Sequence, residues 1–282
     1  GGIYVGPGNS LTINETKISK GISYEGGLIY NAGNTLITSD TKDVSFVTGG
    51  TARKLGGAIY NNGQLTLDKA LVYGTFVGTE LGEVNPHPDK SNEYGGVNIY
   101  AEKDVTITSN ASFSRLSDRK DIRVIDGQSK IILTGPPLVA FNVSISETNL
   151  NSGDFSEDAY RKVGYVIASS DGKYQLTAED AKKIHYLSKD ELSKYTSINS
   201  TIAKWNDHTS IGKWDCVLNP ERNEIVLGQR GEITYHLNGE GAQFPTDGMK
   251  EAKSVNFEIY KSDTVKIENS IEDPVRENFK FI

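Results

Sequence analysis

The first 104 residues hold acidic and basic side chains of the kinds that cleave polysaccharides. A polysaccharide lyase needs carboxylates that bind calcium and a basic group that abstracts a proton, whereas a glycosidase needs two facing carboxylates about 5 to 9.5 Å apart. Only Asp40 and Asp43 are close in sequence, and no Asp-Asp or Asp-x-Asp pair recurs at equivalent positions of the repeats described below. The sequence therefore predicts that the chain is not an enzyme, with a polysaccharide lyase or hydrolase as the alternative. The candidate acids are Asp40, Asp43, Asp68 and Asp104, and the candidate bases are Lys42, Arg53 and Lys69.

Histidine and cysteine are too sparse to predict a metal site. The four histidines lie in different contexts without His-x-x-x-His spacing, and Cys216 is the only cysteine. No glycine motif for phosphate or dinucleotide binding is present, and residues 49–57 (GGTARKLGG) are predicted to form a turn between repeats. We therefore expect no metal and no cofactor. The histidines are His87, His185, His208 and His236.

One candidate binding segment is residues 78–94 (GTELGEVNPHPDKSNEY), which are polar, acidic and interrupted by two prolines. This segment should form a loop that projects from a rigid scaffold, and such loops often carry binding residues. The alternative is a solvated loop without a binding role. The candidate binding residues are Glu83, His87, Asp89 and Tyr94.

A second candidate is residues 204–214 (KWNDHTSIGKW), which contain both tryptophans of the chain. Exposed tryptophan beside Asp, Asn and His can grip sugar rings, so the candidates are Trp205, Asp207, His208 and Trp214. The alternative is that both tryptophans are packed between the helical insert described below and the end of the strand stack, because tryptophan is mostly buried in proteins.

A repeated phrase organises the first hundred residues. The copies GGIYVGPGNSLTI, GGLIYNAGNTLIT, GGAIYNNGQLTL and the looser GGVNIYAEKDVTI place tyrosines at positions 4, 30, 60 and 100, at spacings of 26, 30 and 40 residues. Each copy has a glycine pair, an Ile-Tyr step, a turn and an alternating strand, followed by a third apolar stretch. A period of this size is typical of stacked units, here with about three short strands each.

Two arrangements are compatible with these units. Asn62-Gly63 is typical of a two-residue hairpin turn, which would make neighbouring strands antiparallel. Stacked coils instead place equivalent strands parallel, about 4.8 Å apart, and align like residues around a continuous core. Repetition of the whole phrase favours coils. The tyrosines would then form a packed ladder, and the glycine pairs would mark positive φ or close backbone approach.

Charge and hydropathy exclude two kinds of partner. The net charge of the 282-residue chain is −7 at pH 7, which argues against nucleic acid because phosphate binding needs a basic surface. No apolar run approaches the roughly 18 to 20 residues of a membrane helix, so we expect no membrane insertion. We expect a monomer. The first copy of the phrase lacks its leading residue, so we expect the chain to be part of a longer protein.

The pattern changes along the second half of the chain. Residues 164–176 predict a hairpin turning at Asp171-Gly172, and residues 213–228 predict a strand pair turning at Asn219-Pro220, whose second strand completes the last coil. Between them, residues of about 177–195 are predicted to form one or two short helices, with Thr177 and Ser188 as N-caps. We predict three regions: coils over 1–136, terminal coils with the helical insert over 137–229, and a small module over 230–282.

The glycine-glycine-x-Ile-Tyr-Asn phrases resemble repeats of bacterial surface proteins, namely the polymorphic outer-membrane and pectate-lyase-like adhesin repeats. The match covers residues 1–134 and continues weakly to 228. This resemblance implies a mainly β protein with a right-handed parallel β-helix, capped here by the small helical insert. The chain departs from the family by lacking most of its asparagine ladder.

The C-terminal region resembles the Listeria–Bacteroides repeat, a small β-grasp-like module of Gram-positive surface proteins. ITYHLNGEGA (233–242) is similar to its opening strand and turn, and DPVREN followed by FKFI (273–282) to its closing phrase. The two resemblances imply a secreted or cell-wall-attached bacterial surface protein, an adhesin that binds a host protein (matrix or immunoglobulin) or a glycan. A structural stalk is a further alternative.

Overall fold

The structure is a computed structural model that describes residues 2–73, 76–77, 98–113, 121–125, 127–146, 164–186, 213–236 and 252–259. These residues form a mainly β protein in which most strands are parallel. They build four sheets, which we call A, B, C and D, and one helix, α1 (Ala178–Lys182). The candidate binding segments fall largely outside these ranges.

Sheets A and B run along the whole described molecule. Sheet A consists, in spatial order, of β1 (Ile3–Val5), β5 (Ile29–Asn31), β9 (Ile59–Asn61), β13 (Ile99–Ala101), β16 (Ile122–Ile125), β18 (Phe141–Ser146) and β20 (Ile184–Tyr186). Sheet B consists of β2 (Ser10–Asn14), β6 (Asn34–Thr38), β10 (Gln64–Leu67), β14 (Val105–Ile107), β17 (Ile131–Leu133), β19 (Val166–Ser170), β22 (Glu224–His236) and β21 (Lys213–Asn219), with β23 (Ala252–Ile259) paired to β22.

Sheets C and D are shorter and belong to the first part of the chain. Sheet C contains β3 (Lys17–Ser19), β7 (Ser45–Thr48), β11 (Ala70–Tyr73) and β15 (Ser112–Phe113). Sheet D contains β4 (Ile22–Glu25), β8 (Thr51–Leu55) and β12 (Phe76–Val77).

The chain passes through the sheets in a fixed order, A then B then C then D, and begins again at A. We call the strands of one passage a layer. The first three layers contain four strands each, not the three that the repeats predicted. The fourth strand of each layer belongs to sheet D. In the second layer it is β8, which occupies most of the segment 49–57 that was predicted to be a turn. Ala52 and Leu55 bury their side chains there, and this burial stabilises an extended conformation.

Equivalent residues of successive layers lie side by side. Tyr4 is paired with Tyr30, Tyr30 with Tyr60 and Tyr60 with Tyr100, in each case between parallel strands. Asn62-Gly63 connects β9 of sheet A to β10 of sheet B, so it does not close a hairpin. The prediction of stacked parallel units is confirmed.

The core is built from columns of like apolar residues. In sheet A, the column Ile29, Ile59, Ile99 and Ile122 has no exposed surface. Parallel columns in sheets B and C bury Ile37, Leu67 and Ile107, and Val47 and Val72. Burial of each such side chain contributes about 1.5–3 kcal/mol, and the contribution repeats with every layer.

The glycine pairs lie where sheet D leads into sheet A. Gly26 and Gly56 adopt φ of +59° and +62°, a left-handed conformation that side chains other than glycine rarely take. A Cβ atom on Gly56 would lie 2.2 Å from the carbonyl oxygen of Ile59, and one on Gly27 would lie 2.2 Å from that of Gly57. Both reasons predicted for the pair, positive φ and close backbone approach, are confirmed.

The helix α1 contacts β20 and β21, the last strands of sheets A and B in spatial order. The side chain of Thr177 caps α1 and forms a capping box with Asp180, as the sequence predicted. Asp180 Oδ2 also accepts hydrogen bonds from the Tyr174 hydroxyl and the Thr177 N–H. The second predicted cap, at Ser188, lies outside the described residues.

Three predictions for this end are wrong in detail. Residues 184–186, inside the predicted helical insert, form β20, because Ile184 and Tyr186 alternate with His185 and bury their side chains beside β18. Residues 164–176 do not form a hairpin, since β19 pairs with β17 and β22 instead. The strand pair β21–β22 exists, but β22 joins sheet B antiparallel to β19 and so ends the parallel series.

The boundary predicted at 229/230 lies within β22, which continues from the sheet B pairing into an antiparallel pair with β23. The division of the chain into three regions stays a prediction.

Gly56→Ala should destabilise the protein more than Gly127→Ala. Both glycines have positive φ, +62° and +64°, but a Cβ on Gly127 meets nothing within 4 Å. Both variants therefore carry left-handed strain, and only Gly56→Ala adds the clash with Ile59, which we expect to cost about 1–3 kcal/mol more. Urea unfolding of the two variants measures the difference, and equal losses would show that close approach between layers is unimportant at Gly56.

Candidate functional site

The residues predicted to bind a partner lie almost entirely outside the described part of the chain. This holds for Glu83, His87, Asp89 and Tyr94 in one segment and for Trp205, Asp207 and His208 in the other. Trp214 is the second residue of β21, and its backbone pairs with Gln229 of β22. These binding predictions therefore stay predictions.

In chain order, the first segment falls between two described strands. Residues 78–94 lie between β12 of sheet D and β13 of sheet A. In the two preceding layers the same connection takes three residues, Gly26-Gly27-Leu28 and Gly56-Gly57-Ala58. The segment is therefore an insertion at the junction from sheet D to sheet A, in the third layer.

The repeated tyrosines form a ladder on the outer side of sheet A. Ring centroids are 5.5 Å apart for Tyr4–Tyr30, 4.8 Å for Tyr30–Tyr60 and 5.6 Å for Tyr60–Tyr100, and the last two pairs are stacked. Exposure falls along the ladder from 69% at Tyr4 to 6% at Tyr60 and 0% at Tyr100. The predicted packed ladder is confirmed, because each ring contacts the ring of the next layer.

Burial, together with nearby carboxylates, raises the pKa of three phenols of the ladder, those of Tyr30, Tyr60 and Tyr100. Burial, followed by Glu25 and Glu102, raises the pKa of Tyr30 above its ordinary value. Burial and a hydrogen bond with Glu102 raise the pKa of Tyr60, and burial raises that of Tyr100. Burial also raises the pKa of Glu25, although Lys54, 3.9 Å away, acts against this. The phenols of Tyr30, Tyr60 and Tyr100 are therefore protonated at neutral pH.

Asparagine side chains also connect layers, more than the sequence indicated. The side chain of Asn31 donates to Asn61 Oδ1 at 2.7 Å and to the Gln64 carbonyl at 2.9 Å, and both asparagines are fully buried. Asn61 donates in turn to the carbonyl of Lys103 at 3.1 Å. An asparagine ladder of two residues, Asn31 and Asn61, is therefore present. In the next layer a backbone carbonyl accepts the hydrogen bond that a third asparagine would accept.

A second buried polar column holds a carboxyl group. The column has one residue in each of three successive layers. Asn98 directly precedes β13, Asp121 directly precedes β16, and Asn142 is the second residue of β18. The strand register places them side by side. Asp121 accepts hydrogen bonds from the Asn98 side chain at 2.8 Å and from the Asn142 N–H at 2.9 Å. Burial raises the pKa of Asp121 to about 8, although both hydrogen bonds lower it. Polar side chains stacked between layers therefore include a carboxyl group. The spacing of these three residues in the sequence did not predict that they stack.

Three of the candidate catalytic acids, Asp40, Asp43 and Asp68, lie after strands of sheet B, whereas Asp104 lies immediately before β14. The side chain of Asn14 donates to Asp40, and the N–H of Asp43 donates to Thr41. Burial raises the pKa of Asp68, but hydrogen bonds from three side chains outweigh it, so that pKa is lowered. Asp104 accepts from the Lys130 N–H at 2.9 Å. The donors to Asp68 are Thr108 (2.6 Å), Asn110 (3.2 Å) and Thr38 (3.2 Å).

The candidate bases differ in their contacts. The ammonium group of Lys69 donates to the carbonyls of Ser39 and Thr41, at 3.1 and 3.2 Å. Arg53 and Lys42 are exposed. Within the described ranges, no group of three or more His, Cys, Asp or Glu side chains is arranged to hold a metal ion.

Comparison of the chain with protein-family models, with curated proteins and with solved structures gives no match. The five-residue helix α1 is the only helix among the described residues, and it lacks the length and apolar character needed to span a membrane.

Asp121 should make the protein less stable as the pH rises. Burial raises its pKa in the folded protein to about 8, from an ordinary value of 3.8. The folded state therefore keeps a proton that the unfolded state loses, and this contribution is complete below pH 3.8 and disappears as the pH rises to 8. We expect urea midpoints to fall between pH 4 and pH 8 in the wild type, and Asp121→Asn to reduce that fall.

Asp68→Asn is the matched control. The lowered pKa of Asp68 places its titration below pH 3.8, so this variant should keep the wild-type slope between pH 4 and 8. The same slope in Asp121→Asn and the wild type would contradict the assignment of the pH dependence to the buried column.

Proposed function

We propose that the chain is a non-catalytic part of a secreted or cell-wall-attached bacterial surface protein, an adhesin that binds a host protein or a glycan. The observation that carries the proposal is that the repeated side chains bind one another between layers. Tyrosine rings stack, and asparagine side chains hydrogen-bond to the next layer. Layers that bind one another in this way form a rigid scaffold, and we expect inserted segments to bind the partner.

The proposed architecture is a right-handed parallel β-helix over residues 1–136, terminal coils with the helical insert over 137–229, and a β-grasp-like module over 230–282. Parallel, in-register pairing of successive layers supports the first part. The cap of α1 and the antiparallel layer support the second. The antiparallel pair β22–β23 supports a strand-rich last region.

The proposed recognition site is the insertion at the junction from sheet D to sheet A. Its position in the chain supports this, because the preceding layers make the same connection with three residues, a glycine pair and one apolar residue. A 17-residue polar segment at one junction of a regular stack is the kind of loop that binds partners on rigid scaffolds. The segment 204–214 is the second candidate, through Trp205 and Trp214.

Binding should depend on the inserted segment. We expect the folded chain to bind at least one ligand on an array of immobilised matrix proteins, immunoglobulins and mucosal glycans. The triple variant Glu83→Ala/His87→Ala/Asp89→Ala should lose that binding at least tenfold. Lys103→Ala, at an exposed residue after β13, is the control and should bind like the wild type. Circular dichroism verifies that each variant is folded.

Two outcomes would separate the candidates. Loss of binding in Trp205→Ala/Trp214→Ala, with the triple variant unaffected, would move the site to the second segment. A folded chain that binds nothing on the array would contradict the adhesin proposal and favour the structural stalk.

The enzymatic alternative has its own test. The carboxylates of Asp40 and Asp68 accept hydrogen bonds from neighbouring side chains, which favours a structural role. We expect no release of unsaturated or reducing sugar ends from acidic polysaccharides, with or without calcium. Turnover that disappears in Asp40→Asn or Asp43→Asn would establish a polysaccharide lyase or hydrolase instead.

A further inference from the structure

Tyr30 and Tyr60 have the shortest ring-to-ring distance in the tyrosine ladder. Their centroids are 4.8 Å apart and their planes differ by 20°. The planes of Tyr4 and Tyr30 are tilted by 39°, and the centroids of Tyr60 and Tyr100 are 5.6 Å apart. Because the p orbitals of a phenol are perpendicular to its ring, those of stacked rings point toward one another. The Tyr30–Tyr60 pair therefore has the geometry in which two ring carbons can form a bond.

Backbone pairing holds the two rings in this arrangement. Tyr30 and Tyr60 are the central residues of β5 and β9 and lie directly opposite each other in the parallel ladder. On either side of them, Ile29 is paired with Ile59 and Asn31 with Asn61, and these four side chains are fully buried. The rings therefore cannot move apart unless the second and third layers separate.

Each of the two phenols has a group that can take its proton. A phenol that has lost an electron is a strong acid, so oxidation of a protonated tyrosine requires a proton acceptor. The Tyr60 hydroxyl is hydrogen-bonded to Glu102, whose carboxylate can accept the proton directly. Tyr30 is half-buried, so its proton can pass to water.

The two tyrosines also differ in access to solvent. Tyr60 is 6% exposed, whereas half-buried Tyr30 lies between the rings of Tyr4 and Tyr60 and still reaches water. A soluble oxidant therefore reacts first at Tyr30, and the stacked ring of Tyr60 can refill the vacancy with its own electron. A second oxidation at Tyr30 then leaves two radicals in contact.

We propose that the Tyr30–Tyr60 pair is an oxidative modification site, at which a haem peroxidase acting with hydrogen peroxide forms a dityrosine cross-link between the second and third layers. Each phenol loses one electron and one proton, and the two radicals couple through a ring carbon ortho to each hydroxyl. The new C–C bond replaces two C–H bonds, whose hydrogens leave as protons while the two oxygens are protonated again. The two electrons and two protons released overall reduce one hydrogen peroxide to two waters.

The cross-link would stabilise the stack. It joins two positions that are 30 residues apart in the sequence, and such a link restricts the unfolded chain much more than the folded one. The oxidised protein should therefore unfold at a higher urea concentration than the unmodified protein. This inference is independent of the proposed binding function.

Mass spectrometry of the oxidised whole chain tests the site. The protein is treated at low concentration with a haem peroxidase and hydrogen peroxide, and the monomeric product is isolated and digested. The main cross-linked product should be the peptides of Tyr30 and Tyr60 joined with the loss of two hydrogen atoms. The urea midpoint of this product should exceed that of the untreated protein.

Tyr30→Phe and Tyr60→Phe keep the stacked rings but remove one phenol, so each should lose both the cross-link and the rise in urea midpoint. Tyr24→Phe is the matched control, because Tyr24 is 60% exposed and lies outside the ladder; this variant should behave like the wild type. Circular dichroism verifies that each variant is folded.

Three results would overturn the proposal. The first is a folded wild type that forms no Tyr30–Tyr60 product. The second is an equal yield of this product when the chain is oxidised in urea, which would show that the stack does not direct the reaction. The third is a main product that joins a different pair of tyrosines.

Discussion

Hydrogen bonds between parallel strands of successive layers align the repeated side chains of the described residues. They place residue on residue with no offset across the first four tyrosine-containing strands. Because neighbouring parallel strands are about 4.8 Å apart, any side chain repeated at an equivalent position meets its own copy at contact distance. The Tyr30–Tyr60 centroid distance of 4.8 Å is a direct consequence.

The same constraint decides which residues are stable in each column. Apolar residues on the inner side gain burial at every layer, as in the column from Ile29 to Ile122. A polar residue on the inner side is stable only where the next layer offers a partner, as Asn61 does for Asn31 and Asn98 does for Asp121. The carboxylates of Asp40, Asp68 and Asp104 likewise accept hydrogen bonds from residues of the neighbouring layers.

Parallel stacking, the tyrosine ladder and the roles of the glycine pairs were predictable, because each follows from residues that recur in the sequence. The strand β8 was not predictable. Its buried residues, Ala52 and Leu55, lie between two glycine pairs, and glycine pairs are typical of turns. The polar column of Asp121 was also missed, since Asn98, Asp121 and Asn142 are separated by 23 and 21 residues with unlike neighbours. Their alignment depends on how long each layer is, which only the three-dimensional pairing shows. The predicted binding residues lie mostly outside the described ranges, so the sequence remains their basis.

The most direct measurement of the stacked arrangement is a set of nuclear Overhauser effects between tyrosine ring protons, with tyrosine-labelled protein and one Tyr→Phe variant for each assignment. In-register layers predict contacts between the rings of Tyr30 and Tyr60 and between those of Tyr60 and Tyr100, and no contact between Tyr30 and Tyr100, which are two layers apart. Absence of the Tyr30–Tyr60 contact in the folded protein, or a contact that skips a layer, would contradict the parallel stack.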